Sequence, residues 1–259
     1  PPAPKSGITQ VFKNPARNGA FWRYVTGYGV FLFGFQMYIV GMPYLISAIT
    51  RNSLNENHDA RAGNEETVKA LIRSNRSLSR IAHWLTQGLS YITIPLFTRN
   101  VEDDGPKKWL VRSTLIRAGA LALVPVLFFT TGFMSMTAAL GILLALIAAQ
   151  AFFQGISVTM DGAATTRIMG ASGVTAEERT KANSILTFVA AVITIIAPAI
   201  ASQISLIGPI MGKGGVGGAV IYGIYAGALA ITAFIYATIK LIGGKSPAAR
   251  AGLTPTPTA

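Results

Sequence analysis

The residues able to do chemistry inside the apolar stretches of this chain are few. Gln36, Tyr38, Gln87, Gln150, Gln154, Asn183 and Gln203 are the neutral polar ones, Arg117 and Asp161 carry charge, and His83 lies near a stretch end. Gln150 and Gln154 are four apart and so share one face of a helix. With Gln36 and Tyr38 they are candidates to line a path for a small polar solute. The same side chains can equally bond helices to one another, at about 0.6–2 kcal/mol each. Arg117 is expected to snorkel, its stem in hydrocarbon and its head at the nearer membrane face. The alternative is a pair with Asp161, which lies toward the same face. His83 reads as an interfacial hydrogen bonder rather than a proton relay.

What is scarce narrows the chemistry further. Of the ten acidic residues, only Asp161 touches an apolar stretch, and it does so at the end of one. Proton- and sodium-driven carriers generally use a carboxylate or histidine at bilayer depth, where an ionisable group is costly enough to signal function. The sequence places none near the midplane, which argues against ion-coupled pumping by this chain alone. There is no cysteine, so disulfides, thiolate metal sites and cysteine nucleophiles are excluded. With two histidines, a histidine-rich metal or haem site is not expected, and no cofactor is. No acidic pair and no Ser–His arrangement falls in the stretches, so an intramembrane enzyme is not expected either. The loop Gly208–Gly218 reads GPIMGKGGVGG, but no Ser or Thr follows Lys213 and no strand is expected before it, which rules out a phosphate-binding loop.

Six apolar stretches must position these residues: Phe21–Ile49, Ile81–Phe97, Leu110–Phe129, Ala138–Met160, Ile185–Ile207 and Val216–Ile239. At roughly 17–29 residues each, a helix rising about 1.5 Å per residue crosses a hydrocarbon core of about 30 Å. Only 12% of the chain is charged, against about a quarter in soluble domains. An all-α integral membrane protein with six transmembrane helices is therefore expected. Residues 1–20 read as a basic surface segment, 21–243 as the transmembrane domain, and 244–259 as a Pro/Thr-rich tail expected to be disordered. A start at Pro1 rather than Met fits processing or truncation.

Residues 51–80 are expected to form an extramembrane loop, with a short helix at 65–72 capped by Asn64. A turn around Thr131–Phe133 should make the third and fourth spans antiparallel neighbours. Gly223 and Gly227 form a small-xxx-small pair for close helix packing, and Ala197 and Ala201 repeat that spacing around Pro198.

The net charge is +12. The positive residues sit in loops and at span ends, so anionic headgroups rather than nucleic acid are the expected partner. Fifteen Lys and Arg fall on the side of the termini and seven on the other, most of these between the first two spans. That bias puts both termini on the cytoplasmic (or matrix/stromal) side of a bacterial or organelle inner membrane.

Six spans, same-side termini and several local patterns resemble the N-terminal half of a major facilitator superfamily transporter, over nearly all of residues 20–243. Glu102-Asp103-Asp104-Gly105-Pro106-Lys107-Lys108 is similar to that family's acidic–glycine–basic–basic turn. Ala151-Phe152-Phe153-Gln154-Gly155-Ile156 looks like its span-4 motif, with Ala151 where the motif has arginine. Glu177-Glu178-Arg179 is typical of the approach to span 5, and Ala197-Pro198-Ala199-Ile200-Ala201 is a distant echo of the Gly-Pro motif, with alanines for glycines.

The resemblance implies a 3+3 helix bundle and secondary transport of a small solute. A second half, or a second copy, would complete the midplane site. It also implies a cytoplasmic gate at Asp104, Lys107 and Lys108. The other reading is a non-catalytic subunit of a larger respiratory or photosynthetic membrane complex, motivated by the long first loop and basic termini. Both readings expect other membrane chains or a second copy as partners.

Overall fold

A computed structural model describes residues 19–56, 65–104, 106–169, 176–210, 215–240 and 242. The basic segment before residue 19, the Asn64 cap, residues 211–214 of the glycine-rich loop and the tail from 243 lie outside the described residues. The described residues form six long helices and no strand: α1 (Gly19–Glu56), α2 (Glu65–Asp104), α3 (Pro106–Thr130), α4 (Met136–Met169), α5 (Ala176–Ile210) and α6 (Val216–Thr238). A 3-10 turn at Thr131–Phe133 joins α3 to α4, which pack on each other as the short turn requires.

Five of the six helices are long and apolar enough to span a membrane, through Gly19–Ile49, Pro106–Thr130, Thr137–Met169, Ala176–Leu206 and Val216–Thr238. This marks the chain as an integral membrane protein. The expected stretch Ile81–Phe97 does lie within α2, but α2 does not join the five. It is the shortest of the six stretches, and His83, Thr86, Gln87, Ser90 and Thr93 dilute it. The expected loop at 51–80 is also corrected. Helix α1 continues to Glu56, and α2 begins at Glu65 and runs unbroken to Asp104. No Gly or Pro stands between Glu65 and Gln87. Nothing in the backbone chemistry therefore stops the helix from reaching the apolar stretch.

Local signals fix several ends. Pro106 opens α3, where its fixed φ fits and its missing N–H is no loss. Glu177 and Glu178 occupy the first turn of α5, where the helix dipole favours them. Glu177 pairs with Lys181 at 2.7 Å. Glu177 is exposed and Lys181 half-buried, and a surface pair of this kind contributes little. Gly215 precedes α6 at φ 91°, a conformation that glycine adopts freely.

In space the helices follow the order α5–α1–α6–α3–α4–α2, with lesser contacts of α5 with α6 and of α1 with α2 and α4. The α1–α6 seam is set by Gly27, Gly34 and Gly41, which recur at every seventh position. A β-carbon at Gly34 would lie 2.7 Å from the Tyr225 ring, and one at Gly41 2.7 Å from Ile221. The pair expected to pack closely, Gly223 and Gly227, does not. Nothing stands within 4 Å of a β-carbon at Gly227, and Gly223 would meet only Pro125, at 3.8 Å. The close approach comes from the glycines of α1 and from Gly218 of α6, where a β-carbon would lie 3.0 Å from the Leu45 backbone nitrogen. Ala197 and Ala201 are fully buried, in a cluster with Met37 and Ile221. Arg23 Nη1 donates to the Thr238 carbonyl at 3.3 Å, so the start of α1 lies beside the end of α6.

The α2–α4 seam is polar. Ser90 Oγ donates to the Ala151 carbonyl at 3.1 Å and Thr93 Oγ1 to that of Phe152 at 3.3 Å. Gly155 makes room for this: a β-carbon there would strike both the Thr93 hydroxyl and the Ser90 carbonyl. The main core is correspondingly split. One cluster joins Tyr38, Leu45, Leu121, Leu143 and Tyr222; another, toward the start of α1, joins Phe21, Leu110, Met160, Ile185 and Tyr236. A polar layer lies between them.

A candidate functional site around Arg117

Arg117 lies well inside α3, roughly 16 Å along the helix axis from Pro106 at about 1.5 Å per residue. Its side chain is 1% exposed. Its Nε donates to Gln150 Oε1 at 3.2 Å, and its Nη2 donates to Gln154 Oε1 at 3.5 Å and to the Tyr225 hydroxyl at 2.7 Å. The guanidinium carbon stands 5.3 Å from the centroid of the Phe31 ring. That is a cation–π contact. Arg117 therefore neither snorkels nor pairs with Asp161. Its distance from the helix end and two amide acceptors on the facing helix hold it inside.

Magnitudes show what this arrangement achieves. An arginine at the centre of a spanning helix costs about 2.5–3.5 kcal/mol on insertion scales. Hydrogen bonds from a charged donor contribute about 1.5–3 kcal/mol each, so three of them offset that cost. They do not neutralise the charge. Among the described residues no carboxylate is ion-paired to Arg117, and its partners are neutral. Asp161 lies about 10 Å of helix beyond Gln154. At that range an effective dielectric of about 20 leaves roughly 1.5 kcal/mol of attraction.

The layer continues through aromatic hydroxyls. Tyr38 is fully buried, its hydroxyl 3.0 Å from Thr86 Oγ1, its ring centroid 5.2 Å from those of Tyr222 and Tyr225. Two atoms of this layer, Gln150 Nε2 and the Tyr222 hydroxyl, are buried without a hydrogen-bond partner. Buried donors are almost always satisfied, so each calls for an explanation.

Helix α4 carries the layer toward one end. Gln150, Gln154, Ser157, Asp161 and Thr165 recur at three- and four-residue intervals and form one stripe. Ser157 meets Ser113 of α3 at 2.9 Å, oxygen to oxygen. At Asp161, the Tyr24 hydroxyl donates to Oδ2 at 2.9 Å and the Tyr236 hydroxyl to Oδ1 at 3.4 Å, while Thr165 Oγ1 donates to the Tyr24 hydroxyl at 2.6 Å. The rings of Tyr24 and Tyr236 stack at 5.7 Å. The sequence puts Asp161 at the end of its span, but α4 runs on to Met169. That leaves the carboxylate about two turns inside the helix.

Of the four candidate path residues, Tyr38, Gln150 and Gln154 come together. Gln36 does not: two residues from Tyr38, it projects about 200° around α1. His83, Asn183 and Gln203 are exposed, and Gln87 is half-buried. Lys107 and Lys108 sit in the first turn of α3, Lys107 half-buried and Lys108 exposed, well removed from the layer. The side chain of Asp104 is outside the described residues. Sequence reasoning misses Tyr225, Tyr222, Tyr236, Tyr24 and Thr86. A signal is present for α6, where Tyr222, Tyr225, Leu229, Thr232 and Tyr236 alternate at three and four and are all buried.

Among the described residues no group of three His, Asp or Glu gathers. The layer's own chemistry is hydrogen bonding around one permanent cation. The chain matches no family model, no curated protein and no solved structure, so this chemistry is argued from its own side chains.

Proposed function

We propose that this chain is a half-transporter-like unit of major facilitator type, which carries a small solute when a second half or a second copy completes it. The observation that carries the reading is the packing order α5–α1–α6–α3–α4–α2. Exchanging α1, α2 and α3 with α4, α5 and α6 returns the same order reversed, as a 3+3 repeat requires. The two outermost helices, α2 and α5, are exchange partners in this scheme. They are also poorly covered: Trp84 and Tyr91 on α2 are 64% and 69% exposed, and Ile195 on α5 is 75% exposed. A second unit laid over α2 and α5 covers a helix too polar to face lipid comfortably along its length. Both termini on the cytoplasmic side and a gate at Asp104, Lys107 and Lys108 belong to the same proposal.

Native mass spectrometry of the gently solubilised particle from its source membrane tests it. One partner of six-span size, or a second copy, is the expected result, and a strictly monomeric chain would contradict it. A second reading, a non-catalytic subunit of a larger assembly, is favoured by one observation. Helix α1 has 38 residues and α2 has 40 residues. At about 1.5 Å per residue they reach about 57 Å and about 60 Å, well beyond a hydrocarbon core of about 30 Å. A large stoichiometric complex in the same measurement selects that reading.

A further inference from the structure

We infer that the layer around Arg117 is a binding site for a small inorganic monoanion of chloride size. The inference does not rest on transport, since it concerns binding within a single chain. Arg117 is buried at mid-helix with neutral acceptors only, and no described acidic side chain pairs with it. A buried charge held this way calls for a counter-charge.

Two further donors stand unpartnered in the same layer, Gln150 Nε2 and the Tyr222 hydroxyl. Gln150 gives its oxygen to Arg117, so its amide nitrogen remains as a donor fixed in orientation by that bond. Tyr38 lies between them, its ring centroid 5.2 Å from that of Tyr222 and 5.2 Å from that of Tyr225, whose hydroxyl accepts from Arg117. A cation, an amide N–H and a phenol O–H, all donors, are the set that recognises an anion.

The class of anion follows from charge and enclosure. One guanidinium balances one negative charge, and a dianion would leave an uncompensated charge in its place. Phe31 and Tyr38 close the layer with aromatic surface, and Arg117, Tyr38, Tyr222, Tyr225 and Gln150 are nearly or fully buried, so a bulky organic anion is disfavoured.

Radiolabelled chloride binding to the purified full chain in detergent tests this, at constant ionic strength made up with gluconate. Saturable retention near one chloride per chain is expected, displaced by bromide and not by gluconate. Arg117→Gln should reduce it to background. Tyr222→Phe removes only an unpartnered hydroxyl and keeps the fold, and it should raise the half-saturating chloride concentration about three- to tenfold. Non-saturable retention by the wild-type chain would overturn the inference. So would Tyr222→Phe and a folded Arg117→Gln both binding chloride as the wild type does.

Discussion

Arg117 and Asp161 are opposite charges lodged within the same helix bundle, and each is held by neutral groups rather than by the other. Arg117 takes two amides and a phenol across α3, α4 and α6; Asp161 takes two phenols, from α1 and α6. The difference between them is chemical. A carboxyl can discharge by accepting a proton, whereas a guanidinium stays charged under all working conditions. The site of fixed charge is also the more enclosed, with Arg117 at 1% exposure and Asp161 half-buried. Charge that cannot be discarded has to be surrounded, and one stripe of α4 carries both the amides that hold Arg117 and Asp161 itself.

The largest effect that separates the two regions comes from glycine. Gly155 adjoins Gln154 and faces Ser90 and Thr93, whereas nothing lies within 4 Å of a β-carbon at Gly162, beside Asp161. Gly155→Val should cost more than about 4 kcal/mol by forcing α2 from α4. Gly162→Ala should be neutral or stabilise by about 0.5–1 kcal/mol through helix propensity. Reversible unfolding in mixed micelles reads both, and equal costs would erase the distinction.

A smaller contrast lies in the charges themselves. Arg117→Lys keeps the charge but loses the fork that reaches Gln150, Gln154 and Tyr225, at a cost of about 2–3 kcal/mol. Asp161→Asn retains an acceptor for one of its phenols and should cost about 1 kcal/mol. The smallest contrast is between phenols. Tyr225 accepts a bond of 2.7 Å from a charged donor, whereas Tyr236 donates one of 3.4 Å. Tyr225→Phe should therefore cost about 1.5–3 kcal/mol and Tyr236→Phe about 0.5 kcal/mol. The same unfolding assay checks these; a reversed order in either pair would contradict the geometry.

The helices are legible in the sequence because long apolar runs and the Thr131–Phe133 turn are local signals. The pairing of Gln150 with Gln154 on one face is legible for the same reason, since four-residue spacing needs no tertiary knowledge. Arg117 is misread because its partners come from elsewhere in the chain: Tyr225 is 108 residues away and Gln150 is 33. The close seam is misplaced because Gly223 and Gly227 match a familiar spacing, while the heptad of Gly27, Gly34 and Gly41 emerges only over a longer stretch. The unbroken α2 is missed because charge in residues 65–80 reads as a loop, although no helix breaker is present.

The central claim is that Arg117 belongs to the amides of α4 and not to Asp161. A pair of double-mutant cycles tests it most directly, one between Arg117→Leu and Gln150→Leu, the other between Arg117→Leu and Asp161→Asn. The account predicts the larger coupling, about 1–3 kcal/mol, in the first cycle and a smaller one, at most about 1.5 kcal/mol from the unscreened charges, in the second. Strong coupling to Asp161 with none to Gln150 would contradict it.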